Sequence, residues 1–98
     1  MKKIAMLHTS SATLAMMQQL IGDIIPQAEV MHLIEESMIK QVMKAGGVTP
    51  DIAARIAGYI QIAEKANCEI FVTACSSIGT VVEQCQFMTP LKLACIDC

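Results

Sequence analysis

Aromatic side chains are scarce in this chain of 98 residues: Tyr59, Phe71 and Phe87 are all there are. So few rings offer no platform on which nucleic-acid bases could stack. Basic residues are few as well. Seven Lys and Arg against nine Asp and Glu leave a net charge of −2, without the clustered basic face that a phosphate backbone requires. No apolar run approaches the ~20 residues that span a bilayer. Met1-Lys2-Lys3 followed by Ile4 to Leu7 has the look of a signal peptide, but His8, Thr9, Ser10 and Ser11 break the run too early for an h-region. The five cysteines are odd in number and irregularly spaced, which excludes a regular disulfide framework. These absences predict a cytoplasmic chain with reduced thiols and with neither a nucleic-acid nor a membrane partner. There is also no Walker glycine loop and no dinucleotide fingerprint.

What the chain has in quantity is apolar residues. They make up 54% of the composition against 16% charged, which is greasy for a domain this small. Residues 1–98 are the size of a single domain, and such a chain buries about 60–70% of its unfolded surface. Surplus apolar surface is therefore expected to meet a partner.

Four strand-like runs alternate with helical patterns. Lys3 to Leu7, Val30 to Ile34, Ile70 to Ala74 and Leu91 to Ile96 read as strands. Leu14, Met17, Leu20, Ile21, Ile24 and Ile25 recur at helical spacing before Pro26, and Met38, Ile39, Val42 and Met43 do so before Gly46-Gly47. The helix with the clearest signals has Thr49 as its cap, Pro50 in its first position and Asp51 at the positive end of its dipole. Ile52, Ile56, Ile60 and Ala63 form its stripe, and Asn67 suits a left-handed stop. Ile78, Val81, Val82 and Cys85 mark a fourth helix, and the eight methionines read as core.

Strands alternating with helices predict a three-layer α/β/α domain around a four-stranded parallel sheet. Right-handed crossovers that cover both faces require one reversal of strand order, most simply the flavodoxin-like order 2-1-3-4. The turn after the first strand, His8-Thr9-Ser10-Ser11, then lies beside the turn after the third, Cys75-Ser76-Ser77. Hydroxyls and unpaired N–H groups in two such turns suit a carboxylate or another small anion, although helix capping alone also accounts for these serines and threonines.

Cys75 ends the run FVTAC and precedes a helix start. That position favours a thiolate, while a free cysteine there can equally be one more small buried hydrophobe. His8 is near enough in the expected topology to suggest a Cys–His pair, but no Asn or Asp is evident to orient its ring, and His32 reads as structural. A phosphatase loop would need an arginine where Val81 stands. Cys95-Ile96-Asp97-Cys98 has CxxC spacing without a second pair. Glu35 and Glu36 fall at the rim of the crevice or at a solvated helix start.

The segments IAMLHTSSATL, VMHLIEESMI, AGGVTPDIAARIAGYIQIAEKANCEIFVTACSSIG and LKLACID together resemble the amino-terminal half of aspartate/glutamate racemase-superfamily proteins, in the branch with hydantoin-racemase-like members. The strand-end cysteine followed by small hydroxyl residues is the most specific element of that resemblance. It implies a cofactor-independent racemase or isomerase, with one cysteine from each of two similar halves acting as acid and base on an amino-acid-type carboxylate. Cys75 matches the first-half cysteine. His8, Thr9, Ser10, Ser11, Ser76 and Ser77 fall in the substrate-holding turns, and no metal is implied. The second thiol is expected from a carboxyl-terminal half or a homodimeric partner. The competing expectations are a non-catalytic binding or assembly module of the same fold and a Cys–His acyl-transfer enzyme or hydrolase.

Overall fold

A strand covered on both faces and paired on both edges has to be almost wholly apolar, and β1 (Lys3–His8) is buried at every position from Ile4 to His8. A computed structural model describes residues 2–74 and 76–96 of the chain, with Ser76 and Ser77 as backbone alone. β1 is paired on one edge with β2 (Glu29–Ile34) and on the other with β3 (Ile70–Thr73), and β4 (Lys92–Cys95) lies beyond β3. All three pairings are parallel, giving one four-stranded sheet of order 2-1-3-4, as the alternation of elements predicts.

Right-handed crossovers in that order place α1 (Leu14–Ile24) on one face of the sheet. They place α2 (Glu36–Ala45), α3 (Pro50–Lys65) and α4 (Ser76–Gln84) on the other. Alternation along the strands agrees. Ala5, Leu7, Phe71 and Leu93 point into one core with Met38, Val42, Ile52, Ile56, Ile60, Ile78 and Val82. Short 3-10 turns, Ser11–Thr13 before α1 and Cys85–Met88 after α4, complete the chain.

The local signals operate as their chemistry requires. Thr49 Oγ1 accepts from the Ile52 N–H at 3.3 Å, Pro50 fills the first turn of α3, and Asn67 takes φ 64° just past its end. Gly46, at φ 76°, ends α2 in the left-handed region that glycine occupies without penalty. Lys3 Nζ donates to the Ala66 carbonyl at 2.7 Å, a cation at the negative end of α3.

Two expectations need correction. The stripe expected along α1 is not buried: no residue of that helix is, and Met16 and Ile24 are 57% and 68% exposed. Among the described residues α1 is the one helix on its face, so it packs on the sheet without a neighbouring helix. Leu14, Met17 and Ile21 are half-covered while Leu20, Ile24 and Ile25 remain in solvent. The methionines are likewise not uniformly core. Met6 and Met38 are buried, but Met43 is 76% exposed because Met38 and Val42 occupy the sheet-facing positions of α2. A helix turns about 100° per residue, which carries Met43 away from that face.

Ile56 is fully buried at the centre of the larger core. Ile56→Ala is expected to cost about 2–5 kcal/mol, and Met43→Ala to stay within about 0.5 kcal/mol. Chemical denaturation of both variants checks the assignment of faces, and comparable losses would contradict it.

Candidate functional site

The ends of β1 and β3 leave the sheet together. Their pairing runs from Ile4↔Ile70 to Leu7↔Thr73, and the Ala74 N–H donates to the Leu7 carbonyl at 3.1 Å. On the other side the Glu35 N–H donates to the His8 carbonyl at 2.8 Å. The Thr9-Ser10-Ser11 turn therefore departs beside the connection from β3 to α4, at the point where strand order reverses. Open α/β sheets receive ligands at such a position. Thr9 is buried, and Ser10 and Ser11 are exposed. Ser10 Oγ accepts from the Ala12 N–H at 3.1 Å as the cap of the 3-10 turn, which leaves its hydroxyl proton free to donate. Cys75 and the side chains of Ser76 and Ser77 lie outside the described residues, as do Asp97 and Cys98 of the CxxC sequence.

His8, fully buried at the end of β1, sits in a hydrogen-bonded chain on the α1 side of the sheet. Its Nδ1 is 2.8 Å from Thr13 Oγ1, and its Nε2 is 2.9 Å from His32 Nδ1. Both ring nitrogens are thus taken. Thr13 Oγ1 donates to the Ser10 carbonyl at 3.3 Å, which leaves it to accept from His8 Nδ1–H. A neutral His8 then offers a bare Nε2 to His32 Nδ1–H, and His32 Nε2 is left as a bare acceptor. Burial lowers the pKa of both imidazoles, and the neighbouring His32 lowers that of His8 further. Both rings are neutral at neutral pH. The orienting groups absent from the sequence reading are Thr13 and His32. The missed signal is the register Met6↔His32, which puts His8 and His32 on one face of adjacent strands.

Glu35 begins α2 and is the hub of a second network. Its Oε2 accepts from the Ser37 hydroxyl at 2.7 Å and the Ser37 N–H at 3.2 Å. Its Oε1 accepts from Arg55 at 2.5 Å and the Tyr59 hydroxyl at 3.0 Å. Arg55 also donates to Gln41 Oε1 and Ser37 Oγ. These bonds, the Ser37 hydroxyl foremost with Arg55 and Tyr59 adding, hold the Glu35 carboxyl down to about 2 against burial. Arg55 is spent on tying α3 to α2. Burial pushes the free thiols of Cys68 and Cys85 up, so neither is activated. Cys95 is disulfide-bonded, against the expectation of reduced thiols throughout.

Among the described residues no helix is long and apolar enough to cross a membrane. Comparison with family models, curated proteins and solved structures finds no match to this chain.

Stability is expected to fall in two stages on acidification. A histidine whose folded pKa is lowered contributes stability fully present above its unfolded value of about 6.5 and lost below it. Glu35, with its folded pKa lowered from 4.5 to about 2, contributes stability above 4.5 that is lost as the pH falls towards 2. Denaturation midpoints from pH 8 to 2 should decline in both windows. Glu35→Gln should remove the lower stage and leave the upper one; a flat profile from pH 7 to 5 would contradict the neutral histidine pair.

Proposed function

We propose that the crevice at the carboxyl ends of β1 and β3 binds a small amino-acid-type carboxylate, with Cys75 moving a proton at its α-carbon. The chain would be a racemase- or isomerase-like half-domain of the kind its sequence resembles in the aspartate/glutamate racemase superfamily. The observation that supports this most is the side-by-side exit of the chain from β1 and β3 at the reversal of strand order. In sequence, Cys75 falls between Ala74, whose N–H bonds to β1, and the first residue of α4. A thiol at a helix start is activated by unpaired N–H groups and the helix dipole.

In this scheme Thr9, Ser10, Ser11, Ser76 and Ser77 offer hydroxyls and backbone N–H groups to the substrate carboxylate. The Cys75 thiolate takes the α-proton, and the carbanion's charge spreads onto the carboxylate those donors hold. Return of the proton on the same face exchanges it with solvent. Delivery from the opposite face inverts the centre and requires a second acid, from a similar second half or a second copy of the chain. No metal or organic cofactor enters this chemistry.

A binding or assembly module of the same fold is the second reading, favoured by the exposed stripe Met16, Leu20 and Ile24. A Cys–His hydrolase draws less support, because both ring nitrogens of His8 are engaged by Thr13 and His32.

With limiting alkylating reagent in reducing buffer at neutral pH, Cys75 should label ahead of Cys68 and Cys85. In deuterium oxide, one or more small α-amino acids or dicarboxylates should exchange the α-proton, and Cys75→Ala should slow that exchange by about 10²–10⁴-fold. Binding without exchange would favour the module; preferential labelling of Cys68 or Cys85 would contradict an activated Cys75.

A further inference from the structure

The face of the sheet beneath α1 carries a feature that the carboxyl-edge crevice does not use. Between α1 and the edge strand β2 lies a cleft of about 240 Å³, lined by Gln18, Ile21, Gly22 and Ile25 on one side and by Val30 and His32 on the other. Gly22 opens it: a Cβ built at that position meets no atom within 4 Å. Clefts for drug-sized ligands start at about 300 Å³, so this one suits a single small ring.

His32 gives the cleft its one directed polar atom from the sheet. Its Nδ1 is committed to His8, so Nε2 is the nitrogen left over. Among the described residues no buried side-chain nitrogen or oxygen lacks a partner. Nε2 has no hydrogen-bond partner among the described residues, so it is open to solvent rather than sealed. The ring is also held. Thr13 fixes His8 and His8 fixes His32, so Nε2 has a set direction and, by the bond polarity derived above, a bare lone pair. An imidazole oriented by a second group that is itself oriented is the arrangement by which a histidine becomes a competent proton acceptor.

The lining also selects ligand charge. Among the described residues it contains no Lys or Arg to hold an anion and no Asp or Glu to hold a cation. An acid that handed its proton to His32 would create an imidazolium against another imidazole in a site whose burial already disfavours the charged form. What fits is a compact apolar body with one neutral O–H or N–H. We propose that this cleft is a second small-molecule site, distinct from the carboxyl-edge crevice, which takes a neutral single-ring hydrogen-bond donor of the phenol type on His32 Nε2.

Phenol and anisole provide the test, since they share a shape and only phenol carries the donor. On the full chain labelled with ¹⁵N, phenol at millimolar concentration should shift the amides of Ile21, Gly22 and Val30 and move the His32 Nε2 resonance away from its bare-nitrogen position. Thr9 and Ser10 should not move. Anisole should bind at least ~10-fold more weakly, in line with the discrimination a hydrogen-bonding site shows against an analogue lacking the donor. Gly22→Leu puts a side chain into the cleft from a position whose Cβ meets no atom within 4 Å, and should abolish the shifts in a folded protein. His32→Leu should remove the preference for phenol over anisole. Equal affinity for the two, shifts confined to the exposed Met16 and Leu20 surface, no shift at all, or unchanged binding in Gly22→Leu would each overturn the proposal.

Discussion

Everything in this domain depends on β1 being hydrogen-bonded to a parallel strand on each side. A strand in that position has no solvated edge and no solvated face, so its sequence has little freedom beyond apolar residues. The next strand in the chain takes one edge, which forces the third to cross over to the other. The sheet therefore reverses direction at β1, and the turns after β1 and β3 open side by side. The crevice we propose would follow from that pairing and would need no side chain to create it.

The same burial sets the problem that His8 presents. A fully buried imidazole must have both nitrogens satisfied or it costs the domain stability. Here the partners are a hydroxyl and a second imidazole rather than a carboxylate. A carboxylate would favour a charged ring and bring a buried ion pair; Thr13 and His32 instead keep the pair neutral. The arrangement passes orientation along from the turn after β1 to the edge strand. It also makes the α1 side of the sheet chemically unlike the opposite side, where α2, α3 and α4 enclose a core that is almost entirely hydrocarbon.

Much of this fold was legible in the sequence because its signals are local. The Thr49-Pro50-Asp51 start, the Gly46 stop, the Asn67 turn and the four apolar runs each depend on neighbours in the chain. The observed elements match them to within a residue or two. The strand order follows from right-handed crossovers together with helices covering both faces, for which 2-1-3-4 is the simplest solution. The rest depended on tertiary placement. An apolar stripe along α1 is visible in sequence, but whether a second helix lies beside it is not, so Leu20 and Ile24 read as core and stand in solvent. The His8–His32 bond needs the register of two strands together with the position of Thr13, five residues beyond His8. Glu35 gives a partial signal: its position after β2 suits a helix start or the crevice rim, but its bonds to Arg55 and Tyr59 come from residues 20 and 24 positions away.

The central claim is that the reversal of strand order makes an anion-accepting crevice between the turns after β1 and β3. Amide chemical shifts followed while a small dicarboxylate or α-amino acid is titrated into the folded chain test it most directly. Weak, saturable shifts are expected at Thr9, Ser10 and Ser11 together with the first residues of α4, because in the proposed site their N–H groups would face one ligand. Shifts confined to α2 between Met38 and Lys44, or none at millimolar ligand, would contradict it.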